Sequence, residues 1–312
     1  MRGTRITGTG GVLPDKVVTN GDLAARMDTD DEWIRTRTGI EERRIGGTTT
    51  EHATEAGRLA LERAGVDPTD LDLIILATTT PDRAVPASSP GVALALGARC
   101  GAFDLNAACS GWVYGLVTAS SMIGAGMDRI LVIGAETLSR ITDWEDRTTS
   151  ILFADGGGAA VVEATDGPGD LLGWDLAADG TTEKHLFAES GGYIEMNGKE
   201  VFRHAVTLMA DSAERALRRA GLSADDVDLV IPHQANVRII DACCKRLGVP
   251  TDKAVVTLHF MGNTSAASVP FTLDHALAEG RLSDGDLVLF SGFGAGMTAA
   301  SAVVRWSAGS RA

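Results

Sequence analysis

Apolar positions along this chain fall in short runs of two alternating kinds. Residues 63–75, RAGVDPTDLDLII, show one unit of the pattern: the end of a helix-type run, a glycine at the C-cap, an acidic turn, then a short strand rich in branched residues. Residues 219–231, RAGLSADDVDLVI, repeat it. Arg63/Arg219, Ala64/Ala220, Gly65/Gly221, Asp70/Asp226, Asp72/Asp228, Leu73/Leu229 and Ile75/Ile231 match without a gap, at an offset of 156, half of the 312 residues. A second echo links MDRILVIGAE (127–136) to DGDLVLFSGF (284–293). Seven identities in thirteen exceed the ordinary likeness of helix–glycine–strand units, so the chain reads as a duplication. Helix–strand alternation then predicts α/β layers with parallel strands, in two halves spanning 1–170 and 171–312.

The junctions between runs carry the unusual residues. In FDLNAACSGWVYGL (103–116) an apolar strand run meets a helix run at Cys109, with small residues two before and two after it. A tight strand-to-helix turn needs that clearance if one side chain is to stand in the open. FMGNTSAASVP (260–270) is another turn feeding an apolar helix, and IPHQANVRII (231–240) follows the second copy of the repeated strand. At the repeat offset, Cys109 maps onto Ser265 and Ala77 onto His233, so Cys109, His233 and Asn263 are expected at matching strand ends. Ligands gather outside the carboxyl ends of such strands.

A thiol at the start of a buried helix is expected to favour thiolate, the more so beside an imidazole. Histidine and asparagine can both donate hydrogen bonds to an oxygen gaining negative charge. The set suits acyl transfer through a thioester, and equally the holding of an enolate formed by loss of CO2. Glycines in SGFGAGMTAAS (291–301) let backbone N–H groups approach a ligand. Taken singly, each feature has a plainer reading as core, turn or structural hydrogen bonder; the argument rests on their joint placement.

Charge narrows the partners. Lys plus Arg number 28 against 42 Asp plus Glu, a net charge of −14, which excludes nucleic acid as a main partner. No run approaches 18 apolar residues, so no membrane span is expected, and the N-terminus lacks the pattern of a signal peptide. The four cysteines include the adjacent Cys243 and Cys244 and form no C-x-x-C pair. No metal site, no disulfide framework and a reduced, cytoplasmic setting are expected.

The stretches AACSG, IPHQAN and GNTSAAS, in that order, resemble β-ketoacyl-acyl-carrier-protein synthase III of the thiolase superfamily. The resemblance runs end to end, through DDEWIRTRTGIEERRI (30–45), DRTTSILFADGGGAA (146–160) and GFGAGMTAAS near the C-terminus. It implies a thiolase-like fold, two duplicated α/β halves in a layered αβαβα arrangement, and no cofactor beyond the CoA thioester substrate. Cys109 would take an acyl group from acyl-CoA. Malonyl-acyl-carrier protein would then decarboxylate with its enolate oxygen held by His233 and Asn263, and the carbanion would attack the Cys109 thioester to give 3-oxoacyl-carrier protein, initiating fatty acid synthesis. The N–H groups of Cys109 and Ala295 would form the oxyanion hole. Trp33, Arg37 and Arg147 match positions that bind CoA, and Asn236 a position behind the histidine. Leu138, Phe153, Ile194, Met196 and Phe293 fall where the acyl pocket is lined, and Val85 where some members place a phenylalanine that closes the partner subunit's pocket. Arg203, Arg238, Lys245 and Arg246 would form a basic patch for the carrier protein, and a homodimer is implied.

The sequence departs from the family pattern at Ala299 and Ala300, where Trp-Gly is frequent, and at Met261, where Tyr or His is common. Three rivals remain in view: an acyltransferase passing its acyl group to an oxygen or nitrogen nucleophile, a thiol hydrolase with a nucleophile elbow, and a silent partner subunit. The hydrolase order requires an acid and then a histidine after the nucleophile, whereas His233 here precedes Asn263. A silent subunit would normally lack the cysteine.

Overall fold

A computed structural model describes residues 2–307. The first sheet takes β1 (Gly3–Val12), β2 (Leu73–Ala77), β3 (Gly101–Leu105), β4 (Arg129–Thr137) and β5 (Asp155–Thr165), in the spatial order β1-β5-β4-β2-β3. The second takes β6 (Leu171–Ala178), β7 (Leu229–Pro232), β8 (Leu287–Gly294) and β9 (Thr298–Arg305), in the order β6-β9-β8-β7. Strand for strand the two orders coincide. Where β3 lies beside β2, the second half has a single parallel bridge, Val230 to Ala254. The termini of the two expected halves, at Met1 and 308–312, lie outside the described residues.

Strand direction differs in part from the expectation. β4–β2, β2–β3 and β7–β8 are parallel, but β1–β5, β5–β4, β8–β9 and β9–β6 are antiparallel. The reason is visible at β8–β9: three residues join them, and a parallel neighbour would need a crossover of a dozen or more.

Among the described residues, the seven helices of eight residues or more build the layers. α1 (Asp31–Thr38) flanks the site, α2 (Thr49–Ala64) and α3 (Ser89–Leu96) cover the first sheet, α4 (Gly111–Gly124) and α7 (Ser268–Ala278) lie between the sheets, and α5 (Gly198–Ala220) and α6 (Val237–Leu247) cover the second. This is the αβαβα sandwich of the thiolase-like fold. α4 is apolar almost all round because it has a sheet on each side. Its Trp112 meets Phe290 of β8 edge-on at 5.5 Å and donates through Nε1 to Val132 O of β4, joining both sheets through one ring.

The repeated residues do repeated work. Gly65 and Gly221 end α2 and α5 in the left-handed conformation, φ +68° and +71°, as C-cap glycines. Asp72 Oδ2 accepts the N–H groups of Asp128 and Arg129 at the start of β4; Asp228 Oδ2 accepts that of Leu287 at the start of β8. Each aspartate thus sets the register of its half's central strand.

The halves interlock through missing side chains. A Cβ on Gly134 of β4 would lie 2.2 Å from Ala266 O, and one on Gly294 of β8 would lie 2.5 Å from Cys109 N. Each central strand therefore admits, backbone against backbone, the turn of the other half. Gly134→Ala should cost about 2–4 kcal/mol, because rigid backbone rather than a flexible tip must move. Gly124→Ala, with open space around its Cβ, should be neutral or stabilising by up to about 1 kcal/mol. Urea midpoints of the two variants check the contrast.

Candidate active site

The two turns at the sheet junction share one construction. Ala108 and Ser265 have φ of +47° and +48°, a strained setting for residues with a side chain. Each is steadied by an asparagine two residues earlier: Asn106 Oδ1 accepts the Ala108 N–H at 3.2 Å, and Asn263 Oδ1 accepts the Ser265 N–H at 2.9 Å. Both lead through a single turn into a central helix, at Gly111 and Ser268. The structural partner of Ala108 is therefore Ser265, and that of Cys109 is Ala266. The repeat offset, which assigned Ser265 to Cys109, slips by one residue between the strands and these turns. Loops absorb such an insertion without disturbing the sheets.

Around the first turn, Ser110 Oγ donates to Ala107 O (2.7 Å) and to Thr298 Oγ1 (2.8 Å), and Thr298 Oγ1 donates to Ala107 O (2.9 Å). Cys109 is left at the floor of a cavity of about 600 Å³, which also exposes Asn106, Leu138, Phe153, Ile194, Ser265, Ala295 and Gly296. His233 and Asn263 lie behind its wall, 3% and 5% exposed. Asn263 is clamped by its backbone, N–H to Leu152 O and C=O from the Ala154 N–H, each 2.9 Å. With Oδ1 committed to Ser265, its amide NH2 is the end that can meet a ligand. The Ser265 hydroxyl shares that cavity with the Cys109 thiol and draws its pKa down.

His233 follows β7, its N–H on Ser291 O at 2.8 Å. Its Nδ1 lies 2.7 Å from Ser268 Oγ, which also accepts the Gln234 N–H at 3.4 Å. With Nδ1 engaged by Ser268, Nε2 is the ring nitrogen left for a ligand, and it carries the proton in the tautomer whose Nδ1 accepts from the Ser268 hydroxyl. Buried Gln234 ties the strand end to the following loop, donating to Pro232 O and Val255 O and accepting from the N–H groups of Thr257 and Leu258.

Electrostatics reverse the thiolate expectation. Burial pushes the Cys109 thiol up from 9.0 to about 12; the Ser265 hydrogen bond opposes this and the negative charge of Glu136 adds to it. That displacement corresponds to about 4 kcal/mol against the thiolate, while a helix N-terminus returns about 0.3–1 kcal/mol. Desolvation wins. Burial likewise brings His233 down to about 3. The resting pair is neutral thiol and neutral imidazole.

Ser268 and Glu136 carry no signal singled out in the sequence, and Ser265 enters it only as the position opposite Cys109. Glu136, at the end of the echoed ILVIGAE run, is fully buried; it accepts from the N–H groups of Thr79 and Thr80 and from the hydroxyls of Thr78 and Thr80. An acid closing a strand of branched residues was the available signal.

The other expected residues divide. Trp33 lies under two guanidinium groups, Arg37 at 4.6 Å and Arg147 at 4.9 Å, in a second cavity of about 790 Å³. Asn236 caps α6, accepting from the Arg238 N–H and donating to Arg37 O; its amide serves the α1–α6 joint rather than His233. Met196 opens onto the Trp33 cavity, and Phe293 is buried among Met209, Met297 and Ile239 rather than exposed to the Cys109 cavity. Val85 is 85% exposed, outside this chain's cavity. Arg203 and Arg246 are paired with Glu200 and Asp211, whereas Arg238 and Lys245 are exposed on α6 without a carboxylate partner among the described residues.

A cysteine that opens onto a cavity from the turn between the halves of an αβαβα sandwich, with a buried imidazole and a buried amide on the other half, fits a thiolase-fold enzyme of thioester chemistry. Family models described as 3-oxoacyl-[acyl-carrier-protein] synthase III and its C-terminal part match residues 103–180 and 217–306. The β-ketoacyl-[acyl-carrier-protein] synthase III of Erythrobacter litoralis is 51% identical over 96% of this chain and 98% of its own. The crystal structure of the Aquifex aeolicus 3-oxoacyl-[acyl-carrier-protein] synthase III superposes with a TM-score of 0.95, at 47% identity, covering 97% of this chain and all of that one. The priming β-ketosynthase of the R1128 polyketide pathway follows at 0.93 and 38%, covering 98% and 97%. The chain belongs to the β-ketoacyl-acyl-carrier-protein synthase III family of condensing enzymes.

Because the thiol is raised, its reactive fraction grows about tenfold per pH unit between pH 7 and 9. Alkylation of Cys109 by iodoacetamide, followed by peptide mass spectrometry, should therefore rise with a log–log slope near one and no plateau. A plateau below pH 8 would reveal a preformed thiolate–imidazolium pair.

Proposed function

We propose that this enzyme condenses an acyl-CoA primer with malonyl-acyl-carrier protein, giving 3-oxoacyl-carrier protein, CO2 and CoA at the start of fatty acid synthesis. One observation carries the reading: hydrogen bonds commit Asn263 Oδ1 and His233 Nδ1 elsewhere, so that the amide NH2 and the ring Nε2 are the ends left for a substrate oxygen.

In the first half-reaction the Cys109 sulfur attacks the acyl-CoA carbonyl. The new sulfur–acyl bond forms as the CoA sulfur–carbon bond breaks, and the thiol proton ends on the CoA sulfur. The N–H groups of Cys109 and Ala295 hold the transient oxyanion, the space beside the Cys109 N–H being kept open by Gly294. In the second, the malonyl carboxylate departs as CO2 and its electron pair becomes an enolate, whose oxygen receives hydrogen bonds from His233 and Asn263. A neutral imidazole suits that step, since it has only to donate. The enolate carbon then attacks the Cys109 thioester, the carbon–sulfur bond breaks, and the thiol regains a proton. An acyl transfer to oxygen or nitrogen needs no enolate and leaves the paired donors unexplained, so that alternative is not favoured.

Trp33, Arg37 and Arg147 offer an aromatic face and two cations to the nucleotide end of CoA. Leu138, Phe153 and Ile194 supply apolar wall to the acyl chain. Arg238 and Lys245 are the unpaired cations for an acidic carrier protein, with Arg203 and Arg246 joining on exchange of partners. The free edge of β3, with Val85 and Leu94 exposed at 85% and 83% nearby, supports a homodimer in which the edge is covered and Val85 reaches the partner's cavity. Residues 1–170 bring the nucleophile and 171–312 the two donors. A cytoplasmic setting accords with free thiols, and no helix among the described residues is long and apolar enough to cross a membrane.

Intact-mass analysis with a panel of acyl-CoAs, then malonyl-carrier protein, tests the reading. Cys109→Ala should form no adduct. His233→Ala and Asn263→Ala should acylate normally but release CO2 about 10²–10³-fold more slowly; an adduct that malonyl-carrier protein cannot discharge in the unaltered enzyme would overturn the condensing role. Arg238→Ala/Lys245→Ala should raise KM for the carrier protein several-fold with acylation by acyl-CoA intact. Equal damage to both half-reactions would count against the patch.

A further inference from the structure

Three potential metal ligands meet outside the Cys109–His233–Asn263 site. His185 ends the short helical turn Gly180–His185, and Glu200 and His204 stand one turn apart in α5. One ligand-capable atom from each lies within 4.8 Å of the other two, and all three side chains are half-buried. The imidazole rings stack at 20°, centroids 6.1 Å apart, and Glu200 Oε2 is 3.9 Å from His204 Nε2. Donors about a zinc ion stand about 3.3 Å apart, so closure by up to about 1.5 Å through side-chain torsion completes the geometry. A cation already sits there: Arg203 Nη2 is 2.5 Å from Glu200 Oε2 and 3.4 Å from His204 Nε2.

We propose that His185, Glu200 and His204 form a site for one divalent transition-metal ion of the zinc class, completed by water, with the Arg203 guanidinium as its displaceable competitor. Two imidazoles and one carboxylate suit zinc, cobalt or nickel; magnesium and calcium require oxygen donors throughout. The position has a consequence for the cavity. Glu183, Lys184 and Leu186–Glu189 line the Cys109 cavity on either side of His185. An ion shared between His185 and α5 ties that wall to a helix packed on the second sheet. The site lies apart from the condensation chemistry and depends on no step of it. The absence of C-x-x-C pairs that excluded a metal on sequence grounds is silent about a ligand set split between a loop and a helix.

The full-length protein, stripped with chelator and alkylated at its accessible thiols, is titrated with ZnCl2 against a chromophoric chelator and with Co2+ by visible spectroscopy. One zinc per chain is expected, weakened at least about tenfold in His185→Gln and in His204→Gln, and tightened in Arg203→Ala. The cobalt spectrum should lack thiolate charge-transfer bands. Melting curves of the metal-free variants matching the unaltered chain separate loss of ligation from loss of fold. No zinc bound by the unaltered chain, or equal binding by the His185→Gln/His204→Gln double variant, overturns the site. Amide exchange at 184–189 should slow when zinc is added; tight binding with unchanged exchange overturns the tie to the cavity wall.

Discussion

The site depends on backbone-to-backbone contact between the two halves. Ala108 and Ser265 turn in left-handed conformations, and the strands facing them carry glycine where those turns arrive. A single methyl at Gly134 or Gly294 would stand within bonding distance of the opposing main chain. Because the contact is made by rigid backbone, the two turns are held to each other with little play. The side chains they carry, Cys109 on one and Asn263 on the other, inherit that placement. The strain of two left-handed residues is offset by the asparagine hydrogen bonds and by the sheets that fix each turn's ends.

Duplication explains why the pocket is asymmetric although its frame is symmetric. The same turn is built twice, with Asn106 and Asn263 in equivalent places, but only the first continues with a cysteine; the second has Ala266. His233 enters from the strand equivalent to β2, where the first half has Ala77. Ser268, at the start of the second central helix, orients the imidazole from the copy that carries no thiol.

Enclosure sets the chemistry. Taking thiol and imidazole out of water favours their neutral forms by more than a helix terminus can return, so the site begins uncharged. Buried Glu136, held by the threonines at 78–80, adds a negative field that further discourages a standing thiolate.

Local rules made much of this legible in the sequence: the C-cap glycines, the doubled aspartates, the short strands, and the turn around Cys109 all follow from nearest-neighbour stereochemistry that repeats at half the chain length. Cys109, His233 and Asn263 could be gathered because strand ends in such a fold converge. Tertiary structure decided what depends on distance through space. It set the antiparallel outer pairs by the length of their connections, and the one-residue slip that pairs Cys109 with Ala266. It placed Met196 at the Trp33 cavity and Phe293 among Met209, Met297 and Ile239, and it held the thiol neutral by burying it. Periodicity encodes which face of an element is apolar; it does not encode which neighbour that face meets, nor how much water remains there.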